Sequence, residues 1–224
     1  MFREVAPGVL WLALPPLQSV NVYLLGDVLV DAGMRFPGGR ILHALSDRPL
    51  TRHVLTHAHS DHQGASAWLC RRRGIPLCCG QGDREAVETG RMWTVLPPEA
   101  SAAFDRLASL AAGPAHPVSH TLDDGDAVGD FAVVAAPGHT PGHLALWRES
   151  DGVLIVGDVV FALNPVTRQR GLRLPFRNAT ADPLGNVATV RRLAVLRPRI
   201  VCFGHGPPLY AAGQFERFAE SCRG

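Results

Sequence analysis

The apolar positions of the chain fall into short runs bounded by turn residues, and the first runs read as strands. Val9 to Leu14, Val20 to Leu25 and Val28 to Asp31 are rich in aliphatic and β-branched side chains, and Gly26-Asp27 supplies the turn chemistry of a hairpin. Gly38-Gly39 opens a helical stretch to about Leu45, Val54-Leu55 is a short buried strand, and Gly64 to Arg73 has helical composition. Ile75 to Cys79 returns to strand character before a helix around Asp83 to Glu88. From Gly90 to Ala115 the chain is Ala-rich and punctuated by prolines, with a helix expected from about Glu99 to Leu110 after Pro97-Pro98, as a lid-like insertion or a plain surface helix. Strands return at Phe131 to Ala136, Leu144 to Trp147 and Val153 to Val156, the last two joined by Ser150-Asp151-Gly152. An irregular stretch from Phe161 to Asp182 leads to a helix over about Leu184 to Leu196, a buried strand Ile200 to Phe203 and a terminal helix over about Ala212 to Cys222. Strands alternating with helices predict sheets covered by helices.

Composition adds bounds to this picture. The 224 residues, 46% hydrophobic and 19% charged, suffice for one large domain with a substantial core, and no linker divides 1–224. The net charge is +2, and all 22 basic residues are arginines spread along the chain. The single tight run, Arg71-Arg72-Arg73, reads as a solvated helix end, so nothing points to nucleic acid. The apolar stretch Gly8 to Leu17 is too short to span a bilayer, carries Pro15 and Pro16, and follows Glu4 where a secretory leader would be cationic. Cys70, Cys78, Cys79, Cys202 and Cys222 are odd in number and form no C-x-x-C pair. They read as reduced, buried thiols, and a cytoplasmic protein without a membrane role is expected. Cys202 stands out because it precedes His205 by three residues.

The candidate chemistry sits where apolar runs end. After Val54-Leu55 comes Thr56-His57-Ala58-His59-Ser60-Asp61-His62, four donor side chains within six residues. In an extended segment His57 and His59 point the same way, and a turn into the following helix can aim Asp61 and His62 beside them. Pro137-Gly138-His139-Thr140-Pro141-Gly142-His143 follows Phe131 to Ala136, Gly157-Asp158 follows Val153 to Val156, and Gly204-His205-Gly206 follows Ile200 to Phe203. Clustered His and Asp at such spacing are the signature of a metal site, and glycine lets each strand end turn sharply.

In this order and at these strand ends, H-x-H-x-D-H, G-H-T-P-G-H, G-D and G-H-G resemble the metallo-β-lactamase-fold superfamily of metallohydrolases. The resemblance runs from the N-terminal hairpin to His205. It implies an α/β fold, a four-layer sandwich of two mixed β-sheets flanked by helices. It further implies that His57, His59 and His139 hold one metal, that Asp61, His62 and His205 hold a second, and that Asp158 bridges them. Imidazole and carboxylate donors suit zinc, and the same set accepts iron or manganese. His143 has no place among these ligands and either supports them, faces substrate or makes a structural hydrogen bond. His43, His53, His116 and His120 are expected to be structural or solvated.

What the resemblance implies for function is hydrolysis of an ester-like bond, in a thioester, lactone or related small molecule, by a hydroxide held between two divalent ions. Asp61 would orient that hydroxide and Asp158 would join the metals, so both are expected to be catalytic. Two divalent ions, two carboxylates and one hydroxide leave a single positive charge, which favours an anionic substrate and an oxyanion. The chain has no G-x-S-x-G that would call for a serine nucleophile. Only 19 residues follow His205, so a glyoxalase II-like enzyme without the full C-terminal helical domain is expected. The bridging Asp158 and the lack of a cysteine ligand depart from the zinc β-lactamases. Arg168, Arg170, Arg173 and Arg177 follow Asp158, and one or two of them are expected to bind an anionic end of the substrate. The alternative from another enzyme class is a persulfide dioxygenase of the same superfamily, with one iron on His57, His139 and Asp158.

Overall fold

A computed structural model describes residues 1–14, 19–36, 38–97, 113–211 and 213–223. The helix expected over about Glu99 to Leu110 lies outside the described residues. Seven strands form a first sheet in sequence order: β1 (Arg3–Ala6), β2 (Val9–Leu14), β3 (Val20–Leu25), β4 (Val28–Val30), β5 (Arg52–Val54), β6 (Leu77–Gly80) and β7 (His120–Leu122). The first four pair antiparallel. From β4 to β7 the pairing is parallel, because helices α1 (Gly38–Leu45), α2 (Ser60–Gln63), α3 (Ser66–Arg73) and α4 (Arg84–Thr89) lie between those strands in the chain.

The second sheet contains β8 (Ala127–Val128), β9 (Phe131–Ala135), β10 (Leu144–Arg148), β11 (Val153–Gly157) and β14 (Ile200–Phe203), ordered β14-β11-β10-β9-β8. Its strands are antiparallel except that β14 runs parallel to β11, with Ile155 opposite Cys202. Between them in sequence lie a hairpin of β12 (Phe161–Leu163) and β13 (Arg170–Arg173) and the helix α5 (Pro183–Ala194). Helix α6 (Gln214–Ser221) closes the described chain.

Alternation along the strands decides the layers. In β3, Tyr23 and Leu25 face the second sheet, where they share a core with Phe131, Val133, Leu146, Ile155 and Cys202. Val22 and Leu24, on the other face, share a core with Ile41 and Leu45 of α1 and Leu69 of α3. On the far side, Leu154 and Val156 of β11 pack with Val187, Val190 and Leu193 of α5 and Phe215 of α6. The result is the expected order of helix, sheet, sheet, helix. Each fully buried Leu, Val or Phe in these layers contributes about 1.5–3 kcal/mol over leaving it exposed. No described helix is long and apolar enough to cross a membrane.

Two expectations need correction. The stretch after Phe161 is not irregular throughout, because Phe161 and Leu163 pair with Arg173 and Arg170 across a loop in which Asn164 Oδ1 accepts from the amides of Val166 and Thr167. The helix read from Gly64 begins earlier, as the single turn α2, and resumes at Ser66. Strands β1, β7 and β8 are two to four residues long and carry too few apolar positions to announce themselves. Pairing with a longer neighbour makes them strands.

His53 of β5 is fully buried, with Nδ1 3.0 Å from Leu29 O and Nε2 2.8 Å from Ser66 Oγ. Burial lowers its pKa from 6.5 to about 4. The unfolded chain therefore takes up a proton that the fold refuses. Stability from this residue is intact above pH 6.5 and falls by roughly 3 kcal/mol as the pH drops to 4. Urea midpoints measured from pH 7.5 to 4.5 should decline less steeply for His53→Asn than for the natural chain.

Candidate metal centre

Four strand ends deliver the centre. β5 leads into His57, His59, Asp61 and His62; β9 into His139; β11 into Asp158; and β14 into His205. All seven side chains converge, in three overlapping groups whose ligand atoms lie within 4.8 Å of one another: His57, His59 and His139; His57, His62 and Asp158; and Asp61, His62 and His205. Asp158 Oδ2 sits in the middle, 3.2 Å from His205 Nε2, 3.4 Å from His62 Nε2 and 3.6 Å from Nε2 of both His57 and His139. Asp61 Oδ2 lies 3.3 Å from His205 Nε2, and the Asp61 side chain is 26% exposed where the others are buried.

The outer nitrogens of the five imidazoles are committed elsewhere. His205 Nδ1 donates to Ser19 O at 2.7 Å, His59 Nε2 to Val95 O at 3.2 Å and His62 Nδ1 to Asp31 Oδ2 at 2.9 Å. Thr56 Oγ1 spends its proton on Asp31 Oδ2, so at 3.0 Å it accepts from His57 Nδ1. Thr180 Oγ1 spends its proton on Phe176 O and accepts in the same way from His139 Nδ1 at 3.1 Å. Each ring thus turns its other nitrogen inward. Nε2 of His57, His62 and His139 and Oδ1 of Asp158 are buried without a hydrogen-bond partner. Buried donor atoms left unpaired while every outer atom is paired fit a metal ion.

The electrostatics point the same way. Burial would raise the pKa of Asp158, but His205 and His62 outweigh it and hold the carboxyl well below its usual range. Burial would lower His205, but Asp158 and Asp61 carry it up to about 10. For His57 and His139 burial wins, and both lie well below 6.5. Two ionised carboxylates among imidazoles draw positive charge to this point, so protons and a cation compete for it.

The family profile described as the metallo-beta-lactamase superfamily matches residues 15–205. This chain belongs to that superfamily. The probable metallo-hydrolase YflN of Bacillus subtilis (strain 168) is 28% identical over 233 residues, covering 92% of this chain and 86% of its own. The hydroxyacylglutathione hydrolase of Bdellovibrio bacteriovorus is 29% identical over 159 residues, covering 66% of this chain; the matched region spans only 52% of that protein. The solved structure of TTHA1623 in a di-iron-bound form is 29% identical with a TM-score of 0.67, covering 89% of this chain and 93% of its own. The chain is a metallohydrolase of the metallo-β-lactamase superfamily, with His and Asp clusters able to hold metal.

Other residues of this superfamily member resolve as follows. His143 is buried, accepts the Asp158 amide on Nε2 at 3.1 Å and stacks on His57 at 4.9 Å, so it lies beneath the cluster and makes a structural hydrogen bond. His43 and His120 are exposed and His116 half-buried, remote from the clusters. Cys202 is in the core between the sheets, and burial pushes its thiol up to about 12. Arg168, Arg170 and Arg177 are exposed, while half-buried Arg173 bonds carbonyls of its own hairpin. Phe161 packs edge-on against His205 with ring centroids 4.6 Å apart.

Sequence reasoning missed Asp31, Thr56, Asp83 and Thr180. The two aspartates carried a usable signal, because each follows an apolar strand of the parallel set, as the ligands do. Thr180 had none.

At Gly204 a methyl group would overlap Asp158 Oδ1 and lie 2.7 Å from His62 Cε1. Gly204→Ala should therefore cut metal uptake at least about 10-fold while far-ultraviolet circular dichroism stays close to that of the natural chain; equal uptake by metal analysis would contradict the described packing.

Proposed function

We propose that His57, His59 and His139 hold one divalent ion, that Asp61, His62 and His205 hold a second, and that Asp158 serves both. On this reading the chain cleaves an ester-like bond, a thioester, lactone or related group, in a small substrate with an anionic part. The observation that carries it is the position of Asp158 Oδ2, within 3.2–3.6 Å of four inward imidazole nitrogens drawn from both clusters. Likeness to a di-iron protein supports two ions, and likeness to hydroxyacylglutathione hydrolases supports an ester-like target. Nitrogen and oxygen donors favour zinc, and iron suits the same set.

Bound there, divalent ions supply Lewis acidity and a hydroxide nucleophile near neutral pH. The chain's own residues do the rest. Committed outer hydrogen bonds keep the imidazoles oriented with their inner nitrogens toward the centre. Asp61, the carboxylate of the cluster with exposed surface, would accept a hydrogen bond from the attacking nucleophile and so turn its lone pair toward the substrate. Exposed Arg177, beside Phe176, whose ring meets Phe161, offers a guanidinium to an anionic end of the substrate.

Protein purified without added metal should carry two divalent ions per chain and hydrolyse thioesters or lactones in a screen that also includes phosphodiesters and persulfides. A single iron with oxygen uptake on glutathione persulfide would replace this reading with the dioxygenase. On the substrate so found, Asp61→Ala and Asp158→Ala should each lower kcat by roughly two orders of magnitude or more while remaining folded; near-normal turnover in either variant would sink the mechanism.

A further inference from the structure

Asp83 lies outside every ligand group, yet its carboxylate is fully buried between two of the ligand loops. Oδ2 accepts the amide of Ala58 at 2.8 Å and the hydroxyl of Thr140 at 2.7 Å, and Oδ1 accepts the amide of Gly142 at 2.7 Å. Ala58 separates His57 from His59, and Thr140 follows His139 directly. One loop issues from the first sheet and the other from the second. The backbones close in around this contact: a methyl on Gly82 would sit 2.7 Å from Gly142 N, and one on Gly142 would overlap the Asp83 amide. The residues of the other cluster are held differently, His62 by Asp31 and His205 by Ser19 O.

We propose that Asp83 is a positioning residue that clamps the His57-Ala58-His59 loop to the His139-Thr140-Pro141-Gly142 loop and so assembles the first metal site selectively. The inference rests on the two-metal reading above. A buried carboxylate that accepts three hydrogen bonds fixes both loops at once, beside the backbone bond from Leu144 N to Thr56 O at 2.8 Å. Asparagine has the same shape but presents an NH2 where an N–H or O–H already points, so Asp83→Asn loosens the clamp without opening a cavity.

The test is metal binding, read by competition with a zinc chelator. For Asp83→Asn, one of the two zinc ions should bind about 10–100-fold more weakly and the other should be unaffected. Two double variants identify which ion responds. Adding Asp83→Asn to His205→Ala should weaken the remaining ion by the same factor, whereas adding it to His59→Ala should change nothing further. Thr140→Val, which removes one of the three bonds, should weaken the same ion by a smaller factor and serves if Asp83→Asn does not fold. Equal weakening of both ions, or of neither, overturns the proposal. Uptake of a single zinc by the natural chain overturns the two-metal reading itself, and the clamp with it.

Discussion

Everything at this centre depends on one constraint: an imidazole buried away from water must have its outer N–H answered, and the inner nitrogen is then left to face a cation. Five histidines meet that condition here, through two backbone carbonyls, one carboxylate and two threonine hydroxyls. The threonines act as relays. The Thr56 hydroxyl donates to Asp31 and the Thr180 hydroxyl to the carbonyl of Phe176, so each is free only to accept from its histidine. Orientation of the rings is thus built into the folded chain before any metal arrives, which is how a site avoids reorganisation when it binds.

The sandwich serves this arrangement by ending its strands together. β5 in one sheet and β9, β11 and β14 in the other all stop just before a residue of the cluster. The sheets are tied near that edge by Asn21 and Tyr23 of β3, whose side chains donate to Phe203 O at 2.8 and 2.7 Å. The apolar core between them is close-packed, so small shifts in sheet position would be transmitted to the ligands. Opposing roles of burial and charge then divide the histidines. Those nearest the carboxylates are raised, and those deeper among other imidazoles are lowered. A metal ion bound there would replace protons on the first pair and meet unprotonated nitrogens on the second.

Membership in the superfamily fixes the broad chemistry, while the surroundings of the centre bear on what it acts upon. The hairpin of β12 and β13 sets Phe161 on His205, and the segment after it runs through Phe176 to Thr180, a partner of His139. Residues that touch ligands on one side and the protein surface on the other therefore come from a single stretch of chain. Such a stretch can vary in reach and charge while the strand ends keep the ligands in place.

Much of this was legible in the order of residues. The strands Val9–Leu14, Val20–Leu25 and Ile200–Phe203 and the helix Gly38–Leu45 lie where their apolar patterns put them, because alternation and helical spacing are local properties. The donor side chains were legible too, each being of ligand type at the end of an apolar run. The partners of those donors were not. Ser19 answers His205 across 186 positions, Thr180 answers His139 across 41, and Asp83 joins loops 25 and 59 positions away. The short strands β1, β7 and β8 and the hairpin after Phe161 escaped for the same reason, since neighbours rather than their own residues hold them. The chain by itself determined which atoms could bind metal and where strands would bring them; the tertiary structure alone decided which nitrogen of each ring faces inward. A hydrogen bond depends on a few tenths of an ångström between segments distant in sequence, and only packing of the two sheets sets that distance.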